Sequence, residues 1–171
     1  MFKPNAVRYA LYTAAASALF ILIEHWLGYN TIHHEIGQYT RMVPMLFSYI
    51  MLFVCIRAQR NLQSSYSWSD AFKTGAGMYL LYSLLFTLII IVYQQFINPD
   101  FYSTFRAFTI QQLEARNAST EQRAKALQEV DLSYSGSAMS YLLLFVFSSI
   151  FGLGLSAIFS LFLRKKAAVN P

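Results

Sequence analysis

All three histidines of this chain fall between residues 25 and 34, beside two glutamates, in the runs Glu24-His25-Trp26 and His33-His34-Glu35. Imidazole and carboxylate together are a donor set for zinc, copper or nickel. His25, His33, His34 and Glu35 are therefore the metal candidates. Their spacing matches no helical ligand motif such as HExxH, and adjacent histidines cannot share a helix face. Polar residues lining a loop at a membrane interface explain them better, so no metal site and no cofactor is assigned. Glu24 is the only acid inside an apolar run. Acids within a membrane often mark proton or ion paths, but Glu24 lies within a turn of the run's end, where a wet interface tolerates it. The single cysteine, Cys55, excludes an intrachain disulfide and any multi-cysteine metal site. No Ser-His-Asp order, phosphate loop or dinucleotide fingerprint is present, and the expectation is that the chain is not an enzyme.

The elements that must position these residues follow from composition. Of 171 residues, 56% are hydrophobic and only 12% charged, with mean hydropathy +0.40. An ordinary soluble domain is about a quarter charged, so this chain lacks the polar surface to cover a globule. Its 15 Phe and 12 Tyr suit a protein with two membrane interfaces to line. The net charge of +5 does not point to nucleic acid, because the basic residues cluster at the ends of apolar runs.

Four runs are read as spans, at about residues 6–27, 39–58, 74–97 and 138–163, within a single membrane domain covering 1–171. A signal peptide is the rival reading of the first. Its apolar run continues through Phe20–Ile23 without a polar break, which favours an uncleaved span. Residues 28–41 read as a loop. The second run, Met42–Ile56, is short, and Tyr39 as an anchor and Arg41 as a snorkelling stem extend it. The third helix starts at Ser69 or Asp70 as N-cap, with Asp70 and Lys73 spaced to pair. Asn98-Pro99 ends it. Ala6, Ala10, Ala14 and Ala18 form one ridge of small residues at every fourth position, and Ser148, Gly152, Ser156 and Ser160 a second. Such ridges let helices approach closely in lipid. Gly75, Tyr79, Ser83 and Thr87 share a face that meets other helices rather than lipid.

Residues 98–137 are the long hydrophilic stretch, with room for two helices. Asp100 would cap the first, which runs to about Arg116 and carries Phe101, Phe105 and Phe108 along one side. That side would rest either in the membrane interface or on the bundle. The second begins at Ser119, where Ser119-Thr120-Glu121-Gln122 has the capping-box pattern.

With four spans both termini share a side with the connection between spans two and three. That side carries Lys3, Arg8, Arg57, Arg60, Lys73, Arg164, Lys165 and Lys166 against one acid, Asp70. The other carries Arg41, Arg106, Arg116, Arg123 and Lys125 against six acids, Glu35, Asp100, Glu114, Glu121, Glu129 and Asp131. Lysine and arginine favour the cytoplasm, which predicts cytoplasmic termini and a periplasmic 98–137 stretch.

The segments Ala71-Phe72-Lys73-Thr74-Gly75 and Ile97-Asn98-Pro99-Asp100-Phe101 carry a resemblance. With the two-helix stretch and the Gly/Ser-rich last span ending in Arg164-Lys165-Lys166, the chain resembles a family of bacterial membrane proteins known as domain of unknown function 4199. The resemblance covers about residues 5–166. It implies four spans, a bacterial origin and an inner-membrane location, and supplies no activity, ligand or catalytic residue. The expected fold is an all-α integral membrane four-helix bundle with a periplasmic two-helix hydrophilic insertion between spans three and four. The expected function is non-enzymatic, an accessory, assembly or interaction protein; the alternative is a small oligomeric transporter or channel. The expected partners are the lipid bilayer and either a membrane or periplasmic protein or further copies of the chain, with no nucleic acid. Asp70, Lys73, Gly75, Asn98, Pro99, Asp100 and Phe101 are the candidate interaction ends.

Overall fold

A computed structural model describes residues 3–165; Lys166, the last of the basic trio, lies outside them. Helix α1 spans Pro4–Trp26, with proline at its start, where a missing N–H costs nothing. It is followed by α2 (His34–Thr40), α3 (Met42–Asn61), α4 (Trp68–Val92), α5 (Phe101–Ala115), α6 (Thr120–Tyr134) and α7 (Ala138–Leu163). A π-helical turn, Tyr93–Ile97, carries α4 to Asn98-Pro99. The described residues contain no strand, only an isolated bridge between Tyr66 and Lys165. Four segments are long and apolar enough to cross a membrane: Pro4–Trp26, His34–Asn61, Trp68–Ile97 and Ala138–Leu163.

The bundle is apolar outside, and inside it mixes hydroxyl side chains with an apolar core that includes Leu52, Ile56 and Met78. Leu19, Leu22, Ile50, Leu88, Phe147, Ile150, Phe151 and Leu161 are exposed, whereas Thr13, Ser17, Ser48, Thr74, Ser83, Ser156 and Ser160 are buried. Water would not tolerate so continuous an apolar exterior; hydrocarbon does. Several of the buried hydroxyls satisfy themselves locally. Thr13 donates to Tyr9 O at 2.7 Å, Thr87 to Ser83 O at 2.9 Å and Ser156 to Gly152 O at 2.7 Å. Others reach across helices: Tyr79 OH meets Ser48 Oγ at 2.9 Å and Tyr82 OH meets Ser17 Oγ at 3.3 Å.

Helix α4 is central, packed on α1, α3 and α7. The α4–α7 contact rests on small residues. A Cβ on Gly152 would lie 1.8 Å from the Tyr79 ring, and one on Gly75 would lie 2.8 Å from both Ile56 and Ser156. Ala6, Ala10 and Ala14 are buried, while Ala18 lines an apolar groove between α1 and α4.

At one end the N-terminus, the α3–α4 connection and the C-terminal segment are tied together. Tyr66 and Lys165 exchange backbone bonds at 2.9 and 2.8 Å, and Asn5 donates to Gln59 Oε1 at 3.1 Å. Two expectations change here. Ser67, not Ser69 or Asp70, is the N-cap of α4 and accepts from Asp70 N, which starts the helix at Trp68. Asp70 faces Lys3 at 3.9 Å rather than Lys73, because the tied N-terminus brings Lys3 to it.

At the other end α5 and α6 form a hairpin. Asn117 closes α5 in the left-handed region (φ 49°), with Ala118 N bonding Leu113 O at 2.9 Å and Asn117 N bonding Glu114 O at 3.0 Å. Ser119 and Gln122 then form the reciprocal capping box of α6. The hairpin is clamped by Asp131, which accepts from Tyr102 OH at 2.7 Å and Arg106 Nε at 3.1 Å. Residues 28–41 are not a plain loop, since α2 lies within them. Gly37 permits this, because a Cβ there would lie 2.0 Å from the Tyr29 carbonyl oxygen.

Candidate functional site

The three histidines part company in the folded chain. His25 Nδ1 meets Tyr93 OH at 3.2 Å. His33 Nδ1 meets Glu35 Oε1 at 3.3 Å, with both side chains about half exposed. His34 is buried: its Nε2 meets Thr104 Oγ1 at 3.0 Å, and its ring centroid lies 5.5 to 6.1 Å from those of Phe101, Phe105 and Phe108. Among the described residues no group of three or more His, Cys, Asp or Glu is placed to hold a metal. The aromatic side of α5 thus rests on the bundle, through His34.

The candidate interaction ends divide in the same way. Gly75 is buried against α3 and α7, and Phe101 is buried under the hairpin. Asn98 is buried as well. Its Nδ2 donates to Asn30 O at 2.9 Å and to Tyr93 OH at 3.0 Å, pinning the end of α4 to the α1–α2 connection. Lys73, Pro99 and Asp100 are exposed and Asp70 partly so. Of the small-residue ridge on α7, Gly152, Ser156 and Ser160 are buried and Ser148 is partly so.

The site that geometry does assemble centres on Glu24. It lies within a turn of the end of α1 and is buried there, only 2% exposed. Gly28, at φ +78°, turns the chain just after α1, and Tyr29 N bonds back to Glu24 O at 2.8 Å. That turn brings Asn30 over the carboxylate, where Nδ2 donates to Oε2 at 3.4 Å. Helix α2 then delivers Thr40, whose hydroxyl donates to Oε1. The next residue, Arg41, does not snorkel. Its Nε donates to Gly37 O at 2.9 Å, and its guanidinium lies 4.2 Å from the Phe105 ring centroid, 5.4 Å from that of Phe101 and 5.7 Å from that of Tyr134.

These groups share a cavity of about 180 Å³ between the bundle and the hairpin. Glu24, Asn30, Arg41 and Tyr93 supply polar wall, and Ile21, Phe86, Ile90 and Leu144 supply apolar wall. No ion pair within 4.0 Å joins Glu24 to Arg41, since the three pairs among the described residues are Lys3–Asp70, His33–Glu35 and Arg106–Asp131. Two buried atoms on the wall have no hydrogen-bond partner, Asn30 Oδ1 and Arg41 Nη2. The arrangement can bind a polar group. Glu24 is legible in the sequence as the lone acid of an apolar run. Its neighbours are not, because Arg41 and Tyr93 reach it only through α2 and the end of α4.

No curated protein and no solved structure matches this chain. The model of the family described as Protein of unknown function (DUF4199) matches it over residues 8–165, and the chain belongs to that family.

Proposed function

We propose that the chain is a non-enzymatic, multi-pass protein of the bacterial inner membrane that serves as an accessory or interaction protein through the α5–α6 hairpin, held in the periplasm. The observation that carries this reading is how the hairpin docks. Its aromatic side is spent on the bundle, where Arg41 faces the Phe101, Phe105 and Tyr134 rings, while Glu114, Arg116, Glu121, Lys125 and Glu129 are exposed. A mixed-charge surface on a rigidly seated hairpin suits recognition of another protein, membrane or periplasmic, or a further copy of the chain. The basic residues gathered at the opposite end support cytoplasmic termini. Photo-crosslinkers at Glu121 and Glu129 in intact cells test it: a discrete adduct with one protein is expected.

A small transporter is the second reading, favoured by a buried carboxylate on a cavity wall. Against it, Thr87 on the inner face of α4 is not part of that wall, and its hydroxyl is committed to Ser83 O. Failure to recover any adduct, together with ion flux through the purified chain in liposomes, would replace the first reading by the second.

A further inference from the structure

We propose that the cavity beneath the hairpin is a binding site for a small zwitterion with an apolar part: an acidic group on Arg41, an ammonium beside Glu24 and Asn30, and the apolar part on Ile21, Phe86, Ile90 and Leu144. Three observations converge on that chemistry. The first is the pair of unsatisfied atoms. Arg41 Nη2 is a charged donor and Asn30 Oδ1 a neutral acceptor, both buried without a partner on residues that line the cavity. Leaving such groups unpaired is costly, more so for a charge, and a ligand bearing one acceptor and one donor removes both costs at once.

The second is the separation of opposite charges. Glu24 and Arg41 line the same cavity yet make no ion pair within 4.0 Å. A pure anion drawn to Arg41 would be repelled by Glu24, and a pure cation drawn to Glu24 would be repelled by Arg41. A zwitterion meets each charge with its opposite. The guanidinium is also held in place beforehand, by Gly37 O on its Nε and by the Phe105 ring 4.2 Å away. Less ordering is then needed on binding.

The third is size and lining. A cavity of about 150 Å³ holds a benzene, so about 180 Å³ takes a compact molecule of amino-acid size, or a lipid headgroup with its tails left outside. Free amino acids and ethanolamine phospholipids share the required chemistry. The proposal is independent of the protein partner, which would meet the outer face of the hairpin.

The test titrates the full-length chain in detergent with L-leucine, with dihexanoyl phosphatidylethanolamine and with its phosphatidylglycerol counterpart. One of the two zwitterions is expected to bind, and which one identifies the source as a free solute or a lipid headgroup. Arg41→Gln, which removes the charge, and Leu144→Trp, which fills the apolar side without touching a polar group, should each raise Kd at least tenfold. If neither zwitterion binds, if phosphatidylglycerol binds as tightly, or if the variants bind like wild type, the proposal is overturned. Should a variant fail to fold, hydrogen exchange on the wild-type chain decides. A saturating zwitterion should slow exchange around Asn30 and between Ser133 and Leu144, and unchanged exchange there overturns the proposal.

Discussion

Glu24 shows how a carboxylate survives inside an apolar bundle. Thr40 and Asn30 donate to its two oxygens, and the Arg41 charge shares its cavity without touching it. Removing one member of such a set costs more than the set itself contributes, because the partners are left buried and unpaired. Glu24→Ala should therefore destabilise the chain by about 3–5 kcal/mol. Glu24→Gln keeps an acceptor oxygen for one donor and should cost only about 1–2 kcal/mol, within the range of one lost charge-assisted hydrogen bond. Unfolding of the two variants in detergent checks this, and equal losses would show that the acceptor oxygen kept by glutamine contributes nothing. Sequence alone marks Glu24 as unusual and near the end of its span but does not show that protein buries it. Its burial depends on the turn at Gly28 and on the close passage of Gly37 over the Tyr29 carbonyl, neither of which leaves a periodic signal in the polar stretch around it. The histidines err the other way. Dense in sequence, they are drawn apart because His25 faces α4 and His34 faces α5.

Between elements, small residues set how closely helices pack, and two glycines two positions apart on α7 make opposite predictions. Gly152 is filled by the Tyr79 ring, 1.8 Å from where a Cβ would stand, whereas nothing lies within 4 Å of the corresponding position on Gly154. Gly152→Ala should thus cost about 1–3 kcal/mol through overpacking. Gly154→Ala should be neutral or slightly stabilising, since alanine is the better helix former by about 1 kcal/mol. Comparing the melting of the two variants reads the contact directly; equal behaviour would place the α4–α7 seam elsewhere. The hairpin carries a pH prediction. Hydrogen bonds from Tyr102 and Arg106 and the Arg106 charge hold the Asp131 carboxyl below the usual carboxylate range. A depressed folded value means that its stabilisation is complete above the unfolded value, near pH 4, and fades as pH falls further. Protection of α5 and α6 amides, after correction for the intrinsic pH dependence of exchange, should therefore fall below about pH 4 in wild type and change less in Asp131→Asn. Helix limits were legible wherever hydropathy or capping chemistry marks them: α7 runs Ala138–Leu163, as the apolar run indicates, and Ser119 caps α6. Helix α2 was not legible, because a seven-residue, mostly polar and Gly-containing segment forms a helix only when packed against a neighbour.

For the whole molecule the distribution of charge and the tying of the chain ends make one argument. Lys3, Tyr66 and Lys165 meet at a single end: Lys3 lies 5.3 Å from the Tyr66 ring centroid, and Tyr66 exchanges backbone hydrogen bonds with Lys165. Both ends of the described chain therefore sit with the α3–α4 connection, as an even number of spans requires. That end gathers Arg57, Arg60, Lys73 and Arg164 as well, with Asp70 its only acid, while the hairpin end is nearly balanced in sign. If the positive-inside rule governs this chain, the tied end faces the cytoplasm and the hairpin faces outward. Cys55 is fully buried and out of reach of a bulky reagent, so single cysteines can be introduced at exposed positions with it left in place. In that background Glu121→Cys, on α6, should react with a membrane-impermeant maleimide in intact cells. Ser64→Cys, in the α3–α4 connection, should react only after the membrane is opened. The opposite pattern would invert the protein and move the hairpin, with any partner it recruits, to the cytoplasmic side. Labelling at both positions in intact cells would mean that Ser64 and Glu121 lie on the same side, contrary to the single span, Trp68–Ile97, between them.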